Sequence, residues 1–298
     1  MYHYVRDLPQ TAFPRINGLL TSDFRRQVDS LRARYEMATL ESALSFWRGE
    51  YKPTRDLCLL TFDDGLKDHY TDVLPILAEH RIEGLFFLIT SCIEEQKVAS
   101  VHKNHFLMAA LGFDAYKQAF LMRLAELSPE TDLSADIEQV KRTYRWDSPE
   151  VATFKYILNF RLSGEIRDRI VSELFQEHLG KESEFARELY MSWDQAREMQ
   201  REGLLLGGHS HSHLPLATLP KDREREDLEL CSQILHKRLD DQSYWPFSYP
   251  YGKSETFSEH TVGILKRNGV SCAFSTVPGE TNQGDDIYSL RRIDTNSL

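Results

Sequence analysis

A basic surplus, a cysteine pairing pattern and a long apolar run are all missing from this chain of 298 residues. Lysine and arginine number 36 against 46 aspartates and glutamates, a formal charge of −10. Phosphate binding needs a basic surface, so nucleic acid is not the expected partner. Cys58, Cys92, Cys231 and Cys272 lie far apart and form no Cys-x-x-Cys pair. Neither a zinc knuckle nor a compact disulfide framework is indicated, and the four read as free, mostly buried thiols. No run of about 18 apolar residues offers a membrane span. The start, Met1-Tyr2-His3-Tyr4-Val5, lacks the basic, apolar and small-residue succession of a secretory leader, so a soluble, cytoplasmic protein is expected. Internal repeats and low-complexity segments are absent too.

What is present supports a sizeable core: 41% of residues are hydrophobic, with 16 Phe and 13 Tyr. The length suits one barrel of about 200–250 residues with an insertion. The chain is organised around Leu57-Cys58-Leu59-Leu60-Thr61-Phe62-Asp63-Asp64-Gly65, an apolar run that ends in two carboxylates and a glycine. Apolar runs of this kind suit a parallel strand covered on both faces, and functional groups in such folds gather beyond the carboxyl ends of the strands. Neighbouring strand residues point opposite ways, so one aspartate can hold a metal while the other moves a proton. Asp-Gly alone also marks an ordinary turn. A second feature, His209-Ser210-His211-Ser212-His213, decides between these readings.

In chain order, Met1 to Val5 reads as a first strand with His3 near its end, and residues 6–20 as a loop. Ser22 is expected to cap a helix carrying Phe24, Val28 and Leu31, with a second helix over Leu40 to Trp47. After the two aspartates come a helix from Tyr70 to Arg81, ended by Gly84, and a strand from Leu85 to Thr90. Strand, helix, strand without hairpin signals means parallel pairing. Residues 91–190 break the alternation, with helical periods over 106–127 and 151–179, and read as a mostly helical insertion. Alternation resumes with a helix over Trp193 to Arg201 and a strand over Leu204 to Leu206. A helix from Arg223 to Leu239, the aromatic stretch Tyr244 to Gly252, a helix from Glu255 to Asn268 and strands over Val270 to Ser275 and Ile287 to Ile293 follow. The pattern predicts an α/β fold of about seven strands across 1–298, which a closed or distorted parallel (β/α)7-type barrel fits, with the insertion inside it.

His209 and His213 are four apart, so in a helical turn their imidazoles share a face about 5–6 Å apart at Cβ and can share one ion, while His211 points elsewhere. With one carboxylate they make the two-histidine, one-carboxylate set that leaves a position for water, the pattern of a catalytic zinc. The same set also suits iron, cobalt, nickel or manganese. His102 and His105 inside the insertion are a second, weaker pair.

Thr61-Phe62-Asp63-Asp64-Gly65 and the later His209-Ser210-x-x-His213 together resemble the polysaccharide deacetylases with the NodB homology domain, from about Tyr2 to about Asp294 with a large unmatched interior. The resemblance implies a distorted β/α barrel, a divalent ion held by Asp64, His209 and His213, and Asp63 as catalytic base. It implies hydrolytic removal of acetyl from an N-acetylated sugar or saccharide. In the mechanism that the resemblance implies, the ion would polarise the carbonyl and activate water while a backbone N–H of a third motif steadies the oxyanion. The counterpart of that motif is Ser248-Tyr249-Pro250-Tyr251-Gly252, which makes Tyr251 the oxyanion candidate.

Two departures reassign roles. Ser248 stands where the third motif usually has arginine, and no Leu-x-His, the usual source of the acid, occurs near the C-terminus. In the subgroup resembling poly-N-acetylglucosamine deacetylases the acid comes from an N-terminal Tyr-His strand, which Tyr2-His3 matches. His69, His80, His236 and His260 fall on expected helices, so His3 is the acid expected on the leaving-nitrogen side, away from Asp63. For the arginine, Arg291 and Arg292 are candidates on the last strand, and Arg292 is preferred as the inward one. A metal-dependent amidohydrolase on a non-sugar N-acyl or cyclic amide substrate, and an inactive carbohydrate-binding barrel, are the alternatives. The sugar, the physiological ion and whether the chain forms a homo-oligomer are left open.

Overall fold

In the computed structural model, which describes residues 1–144 and 148–295, the apolar run before the two aspartates is two strands rather than one. Of the expected 91–190 insertion, residues 145–147 lie outside the described residues, as do 296–298 of the expected barrel. The elements run α1 (Thr21–Arg34), β1 (Glu36–Met37), α2 (Leu40–Trp47), β2 (Leu57–Cys58), β3 (Leu60–Phe62), α3 (Leu74–His80), β4 (Gly84–Leu88), α4 (Thr90–Glu94), α5 (Ser100–Leu111), α6 (Phe113–Leu127), α7 (Ile137–Thr143), α8 (Pro149–Tyr156), α9 (Gly164–Leu179), α10 (Glu182–Leu189), α11 (Trp193–Arg201), β5 (Leu205–Gly208), α12 (Lys221–Arg238), β6 (Pro246–Ser248), α13 (Glu259–Arg267), β7 (Cys272–Pro278) and β8 (Leu290–Arg292). The break falls at Leu59, where the chain leaves its pairing with β1 and joins the main sheet through β3.

The main sheet has six parallel strands in sequential order from β3 to β8. Every residue of β3 and β4 is buried, as expected when helices cover both faces of a parallel sheet. The sheet's two edges meet through the N-terminal segment. Tyr2 bridges Phe62 in parallel, with Tyr2 N–H donating to Thr61 O and Asp63 N–H to Tyr2 O, both at 2.9 Å. On the other side the Met1 amine donates to Ile293 O at 2.9 Å. The expected first strand is thus two isolated bridges, Tyr2 with Phe62 and Val5 with Leu19, and the first of them completes the α/β curled sheet as a seventh member. Tyr2, Phe62 and Phe86 stack in series, with centroids 5.1 and 4.5 Å apart, so aromatic burial locks this seam.

Two compact units emerge: Met1–Asp7, Asn17–Lys97 and the chain from Ala186 onward hold the sheet, whereas Leu8–Ile16 and Val98–Phe185 form a helical unit. In the helical unit Phe154 sits 5.6 Å from both Tyr116 and Phe120, and Phe185 packs on Phe106 and Phe175. Lys103 is buried there, its Nζ 2.9 Å from Glu182 and 3.0 Å from Ser172 Oγ. Gly112, at φ +83°, divides the helical period over 106–127 between α5 and α6. Among the described residues no helix is long and apolar enough to cross a membrane.

Boundaries follow local chemistry where caps exist. Ser192 and Gln195 form a reciprocal capping box at the start of α11, and Ser258 with Thr261 does the same for α13. Ser22 does not cap α1; Leu20 holds that position without a side-chain bond. The helix after Tyr70 begins with a π-turn over His69–Val73 and ends at Arg81 in the left-handed region, so Gly84 is free to open β4 instead of stopping a helix.

Candidate active site

Among the described residues, four of the six non-glycine positions with positive φ gather at one place: Asp64 (81°), Ser210 (61°), His213 (55°) and Tyr251 (61°). Left-handed backbone costs about 1–3 kcal/mol at such residues and concentrates at functional sites. Each bends a strand exit. Asp64 turns away from the line of β3 directly after Asp63, and Gly65 follows at φ +65°, where an added Cβ would meet the Leu88 side chain at 2.9 Å.

His209 leaves β5 with its N–H donating to Leu88 O at 2.9 Å, and His213 returns over a curled loop in which its N–H donates to Ser210 Oγ at 2.9 Å. The expected helical turn is absent; the two positive-φ residues, not helical spacing, bring the imidazoles together at 4.8 Å between ring centroids. Gly207 lets β5 and β6 approach closely: a Cβ there would lie 2.2 Å from Pro246 O on β6. His211 points away, as expected, toward Glu95 and Thr90 at 2.9 and 3.0 Å.

His209 Nε2 and His213 Nε2 each lie 3.5 Å from Asp64 Oδ1, and all three residues are buried. Ligand atoms around a tetrahedral ion at about 2.0–2.2 Å are about 3.3–3.6 Å apart, so the spacing fits one ion. His209 Nδ1 donates to Ser248 O at 2.7 Å, which leaves the Nε2 lone pair facing Asp64, the tautomer that a metal ligand needs. Burial lowers the His209 pKa against the pull of Asp63 and Asp64, which keeps the ring in the neutral, ligating form.

Asp63 faces the other way, to Arg292 on β8. All five guanidinium N–H groups are used: Nε donates to Ser275 O at 2.8 Å, the terminal nitrogens reach Asp63 Oδ1 and Oδ2 at 2.8 Å each, and they also reach Thr61 Oγ1 at 3.3 Å and Ser248 Oγ at 2.9 Å. Burial works to raise the Asp63 carboxyl; Arg292, then His209 and His3, outweigh it and hold the group well below the usual carboxylate range. Leu290 and Arg292 are buried and Arg291 is half-buried, so strand alternation turns Arg292 inward while Arg291 pairs with Asp285.

His3 stands beside Asp63, not away from it: His3 Nε2 is 3.9 Å from Asp63 Oδ2, and the side chain is 42% exposed. The closed seam produces this contact, because Tyr2 pairs with Phe62 and carries its neighbour to the end of β3. Tyr251 lies 5.3 Å from the His213 ring between centroids. Its loop is tied to β7 by Thr276, whose Oγ1 donates to Tyr251 O at 2.7 Å and whose N–H donates to Gly252 O at 2.8 Å. A Cβ at Gly252 would lie 2.5 Å from Thr276 N, so glycine is required there.

His102 and His105 sit on α5 of the helical unit, and among the described residues Asp64, His209 and His213 are the cluster of three or more metal-binding side chains. Sequence reading missed His69, which is fully buried against the side of the stacked Phe62 and Phe86 rings, 5.6 Å from each, and bonds His3 O through Nε2 at 2.8 Å. It also missed Asp227 on α12, which bonds backbone in the His209–His213 loop. A histidine and an aspartate inside amphipathic helices carry no signal of a distant backbone partner.

Residues 50–145 and 168–273, more than half of the chain, match the family model for polysaccharide deacetylase, and the chain belongs to that family. A Bacillus subtilis (strain 168) protein, provisionally named polysaccharide deacetylase YxkH, is 24% identical over 259 residues; the match spans 87% of this chain and 58% of that relative's length. Among solved structures, IcaB from Ammonifex degensii aligns with a TM-score of 0.60 at 19% identity over 99% of this chain and 91% of its own. The Streptococcus pyogenes deacetylase PplD in complex with acetate gives 0.58 at 15% over 98% and 89%, and the BpsB deacetylase domain from Bordetella bronchiseptica 0.54 at 16% over 98% and 94%. These likenesses share the fold described above.

Proposed function

We propose that the chain is a metal-dependent hydrolase that removes acetyl from an N-acetylated sugar or saccharide. The observation that carries this reading is the division of labour between adjacent aspartates: Asp64 faces the imidazoles of His209 and His213 at 3.5 Å each, while Asp63 is held in its ionised form by Arg292. Asp64, His209 and His213 would hold the divalent ion, zinc by donor type, with iron, cobalt, nickel or manganese also suited. Such an ion supplies Lewis acidity toward the amide carbonyl and toward water.

Asp63 accepts the proton of the attacking water, and Arg292 keeps it ready by favouring the charged form. The Tyr251 N–H, on a loop fixed by Thr276, is the donor assigned to the developing oxyanion. His3 delivers a proton to the departing nitrogen. Its place 3.9 Å from Asp63 makes the two a relay on one side of the site, with the proton taken by Asp63 available to recharge His3. Arg292 therefore takes the role that Ser248 leaves vacant, and Ser248 becomes one of its acceptors.

Acetate release from a panel of N-acetylated sugars, with metal added and with metal removed by a chelator, tests the assignment. Release that depends on metal and on Asp63 supports it. Metal-dependent turnover confined to non-sugar amides would favour the amidohydrolase alternative, and sugar binding without acetate would favour the inactive barrel.

A further inference from the structure

We propose that Asp227 is a positioning residue that shapes the His209–His213 loop before any ion arrives, an inference that rests on the metal reading of that loop. Asp227 lies in the first half of α12 and is 9% exposed. Its Oδ1 accepts the His211 N–H at 2.8 Å and its Oδ2 accepts the Ser212 N–H at 3.0 Å. One carboxylate thus clamps two consecutive amides in the middle of the segment that carries both histidine ligands.

The clamp acts where the backbone is least content. Ser210 and His213, on either side of the clamped pair, both have positive φ. The loop's carbonyls are held from the opposite side by α4, with Thr90 N–H donating to Ser210 O and Ser91 N–H to His211 O at 3.2 and 3.1 Å. Among the described residues the Asp227 bonds engage the loop's central N–H groups, those of His211 and Ser212, while the Ser210 hydroxyl takes the His213 N–H and Leu88 O takes that of His209. A charged acceptor is the strong choice for holding two donors, and outer-shell partners of this kind change metal affinity by about 10–100-fold when removed. The residue touches neither the ion's position nor substrate; it acts through the loop.

The test uses the metal-free full chain and its Asp227→Ala and Asp227→Asn variants. Cobalt(II) binding is read by absorption, and loop order is read by amide hydrogen exchange in the absence of metal. Asp227→Ala should bind cobalt about 10–100-fold more weakly and exchange the His211 and Ser212 amides faster, with exchange in β3 and β4 unchanged. Asp227→Asn keeps one acceptor oxygen and should fall between the two, which preserves the test if the alanine variant does not fold. Unchanged cobalt affinity with unchanged exchange at His211 and Ser212 would overturn the proposal. Should the parent protein bind no cobalt, the metal reading fails, and exchange alone then decides: acceleration in the variants upholds the clamp, and its absence removes it.

Discussion

The sheet unit and the helical unit bury charge in opposite ways. In the sheet unit Asp63, Asp64, His209 and Arg292 are all buried, and four strained residues bend the strand exits that carry them or lie beside them. In the helical unit the buried Lys103 is tied to Glu182 and Ser172, and among the described residues none of the six non-glycine positions with positive φ falls there. One arrangement holds reactive groups in positions that the backbone resists. The other satisfies a buried charge inside ordinary helices, where it specifies packing.

The contrast is broken most severely at the base. Asp63→Asn should retain metal and fold yet lose about 100-fold to 10,000-fold in turnover, because an amide accepts no proton. Metal analysis beside kcat checks this, and near-normal kcat with metal bound would end the role given to Asp63. Arg292→Gln comes next. Without the guanidinium, burial is left to raise the Asp63 carboxyl, so the acidic limb of the kcat/KM profile should move upward by more than about one pH unit. An unmoved limb would show that Arg292 does not set the ionisation of Asp63. Pairing the two changes, Arg292→Ser with Ser248→Arg, should recover part of the lost rate, since the Ser248 hydroxyl touches the same guanidinium nitrogen that reaches Asp63.

A smaller effect concerns stability in the sheet unit. Burial lowers His69 from its ordinary value to about 4. Because the folded form excludes the proton, the unfolded chain binds it first: the contribution of His69 is full above about pH 6.5 and is lost as pH falls toward 4. Relative to the parent, His69→Phe should therefore gain roughly 2–3 kcal/mol between pH 7 and pH 4, measured by denaturant titration at each pH. A constant difference would place the ring in contact with water. The smallest change sharpens the helical side of the contrast. Lys103→Met leaves Glu182 half-buried without its cation and should cost about 1–3 kcal/mol in unfolding free energy. No loss would mean that the tie is merely surface-like.

Much of the site was legible because its chemistry is a property of residue type. Two aspartates at a strand exit, two histidines four apart and a basic residue on the inward phase of the last strand can be found without knowing any partner. The fold class was legible for a similar reason, since strand and helix periods alternate along most of the chain. The break at Leu59 was not, because pairing with β1 on one side and β4 on the other decides it, and both partners are non-local. His69 and Asp227 were hidden for the complementary reason: each bonds backbone atoms of a distant residue, and backbone atoms are the same in every sequence. The place of His3 was half visible. Its strand could be foreseen, while its approach to Asp63 depends on how the seam closes.

That seam also orders events in time. Its contacts join Met1 to Ile293, 292 residues apart in the chain, and such long-range pairings form late because a large loop must close first. Arg292 belongs to the strand on one side of the seam and His3 to the segment that fills it. Asp63 is consequently without either neighbour until the ends of the fold meet. During refolding, the sheet should report its formation before turnover appears, and the interval between the two signals measures how long the ring stays open.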